Sequence, residues 1–211
     1  MTNRRRFLAT GLTASLLLGA PRAFANDDGL YEDAFDPQSS FIRVLAPDQA
    51  FASIGGTRVT DFDAGLSAYV NVMPSTLSVA FADGATDLDV APATHYTVIA
   101  RAGSAPLVLI DDLKMNPAKS DVSLYNLSGQ DGVDLFVPAA RAVALSAVPM
   151  AGAKSVALKA PLTLDFDFRA GEMVLASVPA VELKRRAGVS VVLTGDAGAY
   201  SAVAVPNSYL R

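Results

Sequence analysis

The chain has 211 residues, 51% of them hydrophobic and 18% charged, which is enough apolar material for a core and excludes a disordered polymer. It contains no cysteine, so a disulfide framework, a thiolate metal site and a cysteine nucleophile are all excluded. The formal charge of −4 includes Arg4, Arg5, Arg6 and Arg22, so the chain from Asn26 onward carries −8 and lacks the basic face that nucleic acid requires.

Residues 1–25 read as an export signal. Arg4-Arg5-Arg6-Phe7-Leu8 precedes an apolar run, and Ala23-Phe24-Ala25 supplies the small residues that a signal peptidase reads, so cleavage is predicted after Ala25. The twin arginine followed by Phe-Leu resembles a Tat signal more than an ordinary Sec signal, and the expected location is the periplasm. No later run is long and uninterrupted enough to span a bilayer.

Residues 26–38 form an acidic arm without periodicity, in which Leu30-Tyr31 and Phe35 are the residues able to dock on a neighbouring surface. The first strand is predicted over 41–45, opened by Ser39-Ser40. A hairpin is expected over 50–54 and 57–60, because Gly55-Gly56 can supply the positive φ of a primed turn. A strand over 67–72 stops at Pro74, which cannot donate to a central ladder. Further hairpins are expected over 77–81 with 86–90 and over 96–101 with 106–110, the second turning at Ala102-Gly103-Ser104. Seven or so short strands at this spacing indicate a sandwich or small barrel.

The run Asp111-Asp112-Leu113-Lys114-Met115-Asn116-Pro117-Ala118-Lys119 has little periodicity and contains a proline, which places a boundary there. Beyond it the order repeats. Strands are predicted over 121–127, 133–137, 141–148, 155–158, 162–168 and 173–178, and Val189-Ser190-Val191-Val192-Leu193 matches Tyr96-Thr97-Val98-Ile99-Ala100 in pattern. Propensity alone would allow a helix over 141–148, but the matching slot of the first unit is a strand. The expected fold is all-β: two tandem small β-sandwich domains related by internal duplication, over 39–113 and 120–211, joined by a linker over 114–119. The charge divides unevenly, with thirteen acids against four bases from Asn26 to Met115 and eight against nine from Asn116 to Arg211. That asymmetry concerns partners and not the fold.

Residues able to carry chemistry are few. His95 is the single histidine, and no Gly-x-Ser-x-Gly elbow accompanies it; a solvent-facing residue at a strand end is the expected role. Asp61 and Asp63, Asp87 and Asp89, and Asp165 and Asp167 are paired two apart, but each pair brackets an apolar residue, the mark of an amphipathic strand. The loop at Asp61 also fails the EF-hand spacing. No catalytic, cofactor-binding or metal-binding residue is therefore assigned, and no cofactor is expected. Lys184-Arg185-Arg186 is the sole basic cluster after the signal; it sits at a turn before a strand, where it could contact a polyanion or an acidic partner.

Leu30-Tyr31, then Ser39-Ser40-Phe41-Ile42-Arg43-Val44, then a second start at Val122-Ser123-Leu124-Tyr125-Asn126-Leu127-Ser128, resemble AlgF, the periplasmic alginate biosynthesis family; Ala93-Thr94-His95-Tyr96-Thr97-Val98-Ile99 is similar to its penultimate strand in the first domain. The chain departs from that pattern at Leu45-Ala46, where a Tyr-Asn pair is expected, and in its Tat-like signal. The resemblance implies an accessory or adaptor protein for O-acetylation of an exported polysaccharide, alginate or a related biofilm exopolysaccharide. It would act beside a membrane-bound O-acyltransferase and periplasmic acetyltransferases, without acetyl chemistry of its own. Its partners would be protein components of the acetylation complex, met chiefly by the acidic first domain, and the polysaccharide through the second domain. The alternative is a secreted β-sandwich structural or adhesion module unconnected with acetylation.

Overall fold

In the computed structural model, residues 35–210 are described, so the predicted signal, its cleavage after Ala25 and the Leu30-Tyr31 part of the arm lie outside the described residues. Strand alternation and glycine turns shape both halves of the described chain. The first ten strands are β1 (Ser40–Leu45), β2 (Ala52–Ile54), β3 (Thr57–Val59), β4 (Phe62–Asp63), β5 (Leu66–Ser67), β6 (Val70–Val72), β7 (Thr76–Phe81), β8 (Gly84–Asp89), β9 (His95–Ile99) and β10 (Leu107–Ile110). They make two sheets. One runs β10-β9-β1-β5-β4 with β6 also paired to β1, and the other runs β3-β2-β7-β8.

The remaining eight are β11 (Lys119–Ser128), β12 (Val133–Val137), β13 (Ala142–Val148), β14 (Gly152–Lys159), β15 (Leu162–Ala170), β16 (Met173–Leu183), β17 (Ala187–Asp196) and β18 (Ala199–Pro206). They form the sheets β14-β11-β17-β18 and β13-β12-β15-β16. The two halves share one topology. In each, the first strand pairs in parallel with a late strand (β1 with β9, β11 with β17), and that late strand continues into an antiparallel hairpin with the last. The duplication expected from the sequence is thus present as a repeated strand order.

Several local expectations hold for simple reasons. Gly55 and Gly56 both have positive φ, at 54° and 90°, and turn β2 into β3. Residues 142–148 pair with β12 as a strand, preceded by a short 3-10 turn, Pro138–Ala140, the sole helical element among the described residues. Leu88 and Phe166 are buried between their aspartate neighbours, as an amphipathic strand requires. The predicted strand over 67–72 instead breaks into β5 and β6, and Tyr69 between them forms a bridge to Tyr209 in the C-terminal tail.

The apolar residues divide into three clusters. Ile42, Val44, Tyr96 and Val98 of the first sheet face Ile54, Val79 and Phe81 of the second. Val122, Leu124 and Val191 face Leu135, Phe166 and Phe168 in the other half. The third cluster joins the halves, with Leu45, Leu66 and Ile99 of the first packed against Tyr125, Val192 and Val205 of the second. The described residues are therefore stacked as four sheets. Fully burying a large apolar side chain contributes about 1.5–3 kcal/mol, so all three clusters matter to stability.

In β1 both faces are covered, because Ile42 and Val44 point into the sandwich while residues 43 and 45 point at the other half. A charged residue at position 43 must then find partners inside the protein.

Candidate functional site

Arg43 is completely buried at the contact between the halves, and the hydrogen-bond partners of its guanidinium are all neutral oxygens. Nε donates to Thr97 Oγ1 at 2.9 Å, one terminal nitrogen donates to Asn207 Oδ1 at 2.9 Å, and the other donates to the Tyr125 hydroxyl oxygen at 2.6 Å and Ser190 Oγ at 2.7 Å. Register explains the meeting. Arg43 lies opposite Thr97 in β1–β9, while Ser190 and Tyr125 occupy β17 and β11 on the facing sheet.

The hydroxyls pass the charge on. Thr97 donates to Asp111 Oδ2 at 2.7 Å, Tyr69 donates to the same oxygen at 2.8 Å, and Tyr125 donates to Asp111 Oδ1. Ser190 donates to Asn207 Oδ1 at 2.7 Å. Each hydroxyl that receives a hydrogen from Arg43 has its own hydrogen free to give onward, so donors and acceptors alternate through the network. Arg43 also lies over the Tyr69 ring, 4.3 Å from its centroid.

Burial pulls the Arg43 pKa down, but Tyr125, Tyr69 and Asp111 outweigh it and the net shift is upward. Burial pushes the Tyr125 hydroxyl up to about 12, with Arg43 opposing and Asp111 adding to the rise. Tyr69 is raised well above its ordinary value, again chiefly by burial. Both phenols therefore stay protonated and serve as donors.

His95 does not face solvent. It is 9% exposed, stacked on Phe41 with centroids 4.7 Å apart, and set edge-on to Tyr69 and Tyr209. The correction has a physical cause: the C-terminal tail folds back over the strand end. Tyr69 N–H donates to Ser208 O and Leu210 N–H donates to Tyr69 O, both at 2.8 Å, which seats Tyr209 beside the histidine. Burial lowers the His95 pKa to about 4, so the ring is neutral near pH 7, with Nε2 3.2 Å from the Tyr209 hydroxyl. The side chain bonded to its ring is thus a phenol and not a serine. Phe35 sits edge-on to Phe41 at 5.0 Å while remaining 46% exposed.

Lys184, Arg185 and Arg186 lie at the turn between β16 and β17, where the sequence puts them, but their side chains diverge. Lys184 pairs with Glu182 at 3.2 Å, and Arg185 Nε donates to Ala160 O at 3.0 Å. Arg186, in the left-handed region at φ 58°, lines a cavity of about 350 Å³ with Leu113, Met115, Asp121, Gly188 and Asn207. No group of acidic, histidine or cysteine side chains that could hold a metal ion occurs among the described residues. Nor, among those residues, is any helix long and apolar enough to cross a membrane.

Sequence reasoning missed Arg43, Asp111, Tyr125 and Asn207 as a set. One signal was available: a lone arginine in a strand whose neighbours on both faces are apolar. Its partners come from positions 54 to 164 residues away, which no spacing rule reveals.

No known family's sequence profile matches the chain, and no curated protein matches it. Among solved structures, the C-terminal domain of AlgF from P. aeruginosa is similar at 21% identity, with a TM-score of 0.38, over 43% of this chain and 99% of that domain.

Proposed function

We propose that the chain is an exported adaptor for O-acetylation of a secreted polysaccharide, alginate or a related polymer, and that its two sandwiches act as one rigid spacer between protein partners. The observation that carries the spacer reading is the buried Arg43 network. Freely hinged domains meet through small polar contacts, whereas here a neutralised ion set and an apolar cluster fix one sheet on the other. The polymer class is supported by the resemblance of residues 39–44, 93–99 and 122–128 to AlgF, and export by the signal pattern of residues 1–25.

In this reading the acidic first half meets the acetylation proteins and Lys184, Arg185 and Arg186 of the second half lie toward the polymer or an acidic partner. The test is the acetyl content of the exported polysaccharide in a strain lacking the gene, with polymer yield recorded alongside. Loss of acetyl groups with the polymer still secreted is the expected result. Unchanged acetylation would discard the reading and leave a secreted structural or adhesion module.

A further inference from the structure

The end of the second sandwich beside the linker is more basic than the sequence suggests. Lys119 and Lys159 stand directly opposite each other in the β11–β14 register, and the Arg186 backbone N–H donates to Lys119 O at 3.2 Å. Folding thus adds two exposed lysines to the Lys184-Arg185-Arg186 turn. Among the described residues, only Glu182 offsets this group through an ion pair, which it makes with Lys184.

The cavity opens at this end, between the linker residues Leu113, Met115, Asn116 and Pro117 on one side and Arg186, Gly188, Asn207 and Tyr209 on the other. At about 350 Å³ it lies near the lower end of the range of roughly 300–1,000 Å³ for small-molecule sites. Two ionisable side chains other than tyrosine line it. Asp121 is 6% exposed, and its two oxygens accept the backbone N–H groups of Lys114 and Met115 at 3.1 and 2.9 Å, so its charge is engaged by the linker. Arg186 is exposed and in none of the three ion pairs among the described residues.

Asn207 also lines the cavity. Its Oδ1 is committed to Arg43 and Ser190, which leaves Nδ2 to donate elsewhere. Gly188 makes room for that amide: a Cβ there would come within 2.4 Å of Asn207 Nδ2. The lining therefore combines the Arg186 guanidinium, the Asn207 carboxamide and the apolar linker residues Leu113, Met115 and Pro117.

We infer that this cavity binds a small monoanion bearing a carboxylate. A guanidinium matches a carboxylate through two parallel hydrogen bonds. Asp121 lines the same cavity and its charge opposes a phosphate dianion more strongly than a singly charged carboxylate. Its source is either a free short-chain acid or the pendant carboxylate of an acidic sugar. Carboxylate binding depends on the cavity and not on the acetylation reading. Failure of binding would leave an acetylation phenotype intact, and unchanged acetylation would leave binding intact.

The experiment titrates the full exported chain with acetate and, separately, with galacturonate, following amide chemical shifts of residues 113–121 and 186–188. Saturable one-site binding of either probe is expected, weakened at least ten-fold in Arg186→Gln and unchanged in Arg141→Gln, an exposed arginine after the 3-10 turn of the other sheet. Galacturonate binding without acetate binding assigns an acidic sugar; comparable binding of both assigns a free acid. Thermal melting of Arg186→Gln should match the parent, since the side chain is exposed. Absence of saturable binding by both probes, or full affinity in Arg186→Gln, would overturn the inference. So would equal losses in Lys119→Gln and Lys159→Gln, which would place the ligand across the basic face instead of in the cavity.

Discussion

Arg43 and Asp111 are opposite charges buried in one network without forming an ion pair: the hydroxyls of Thr97 and Tyr125 stand between them, each accepting from the arginine and donating to the aspartate. The arrangement spreads one positive and one negative charge over neutral groups from both halves. Asp111 belongs to the segment that leads into the linker, so the chain crosses between sandwiches at the point where its own carboxylate anchors it.

Arg43→Met is expected to destabilise the protein by about 3–5 kcal/mol, because Asp111 would remain buried without its counter-charge. Urea unfolding of Arg43→Met, Asp111→Asn and the double variant measures this. The double variant should cost clearly less than the sum of the two single ones, and additive losses would show that the two charges do not communicate.

Tyr125→Phe keeps the ring in the apolar contact between halves and deletes one hydroxyl that serves both charges. A loss of about 1–3 kcal/mol is expected, the range for leaving buried polar partners unsatisfied. A change within the error of denaturant titration would mean that the hydroxyl contributes no net stability.

His95 gives the protein a pH dependence of known sign. Its ordinary pKa of 6.5 applies to the unfolded chain and burial lowers it to about 4 in the fold. Between those values the unfolded chain takes up a proton that the folded protein refuses. The stability present above pH 6.5 is therefore lost as pH falls toward 4, by about 3 kcal/mol in all. His95→Gln should flatten the stability profile in that window, and an unchanged slope would assign the acid sensitivity to carboxylates.

Deleting residues 207–211 removes the Asn207 acceptor from Arg43 and Ser190 and strips the tail from Tyr69. Hydrogen exchange is the direct readout, because Tyr69 N–H loses its bond to Ser208 O. Exchange at Tyr69 and along β1 is expected to accelerate, with the far sheet of the second sandwich unaffected. Uniform protection would mean that the tail adds nothing to the contact between halves.

The features legible from the order of residues are local and periodic. Alternation over 41–45 and 162–168, the Gly55-Gly56 turn and the repeated order of strands are properties of neighbouring residues, so they can be read before any contact is known. The aspartate pairs around Leu88 and Phe166 belong to the same class, since an amphipathic strand needs only a period of two. The remaining features depend on which surfaces meet. Arg43 is a strand residue by pattern, and only the approach of a second sheet turns it into a buried cation with four partners. His95 reads as an exposed strand end until the tail covers it. Lys119 and Lys159 are 40 residues apart and become neighbours through β pairing, which makes the charge of that face a product of register and not of composition.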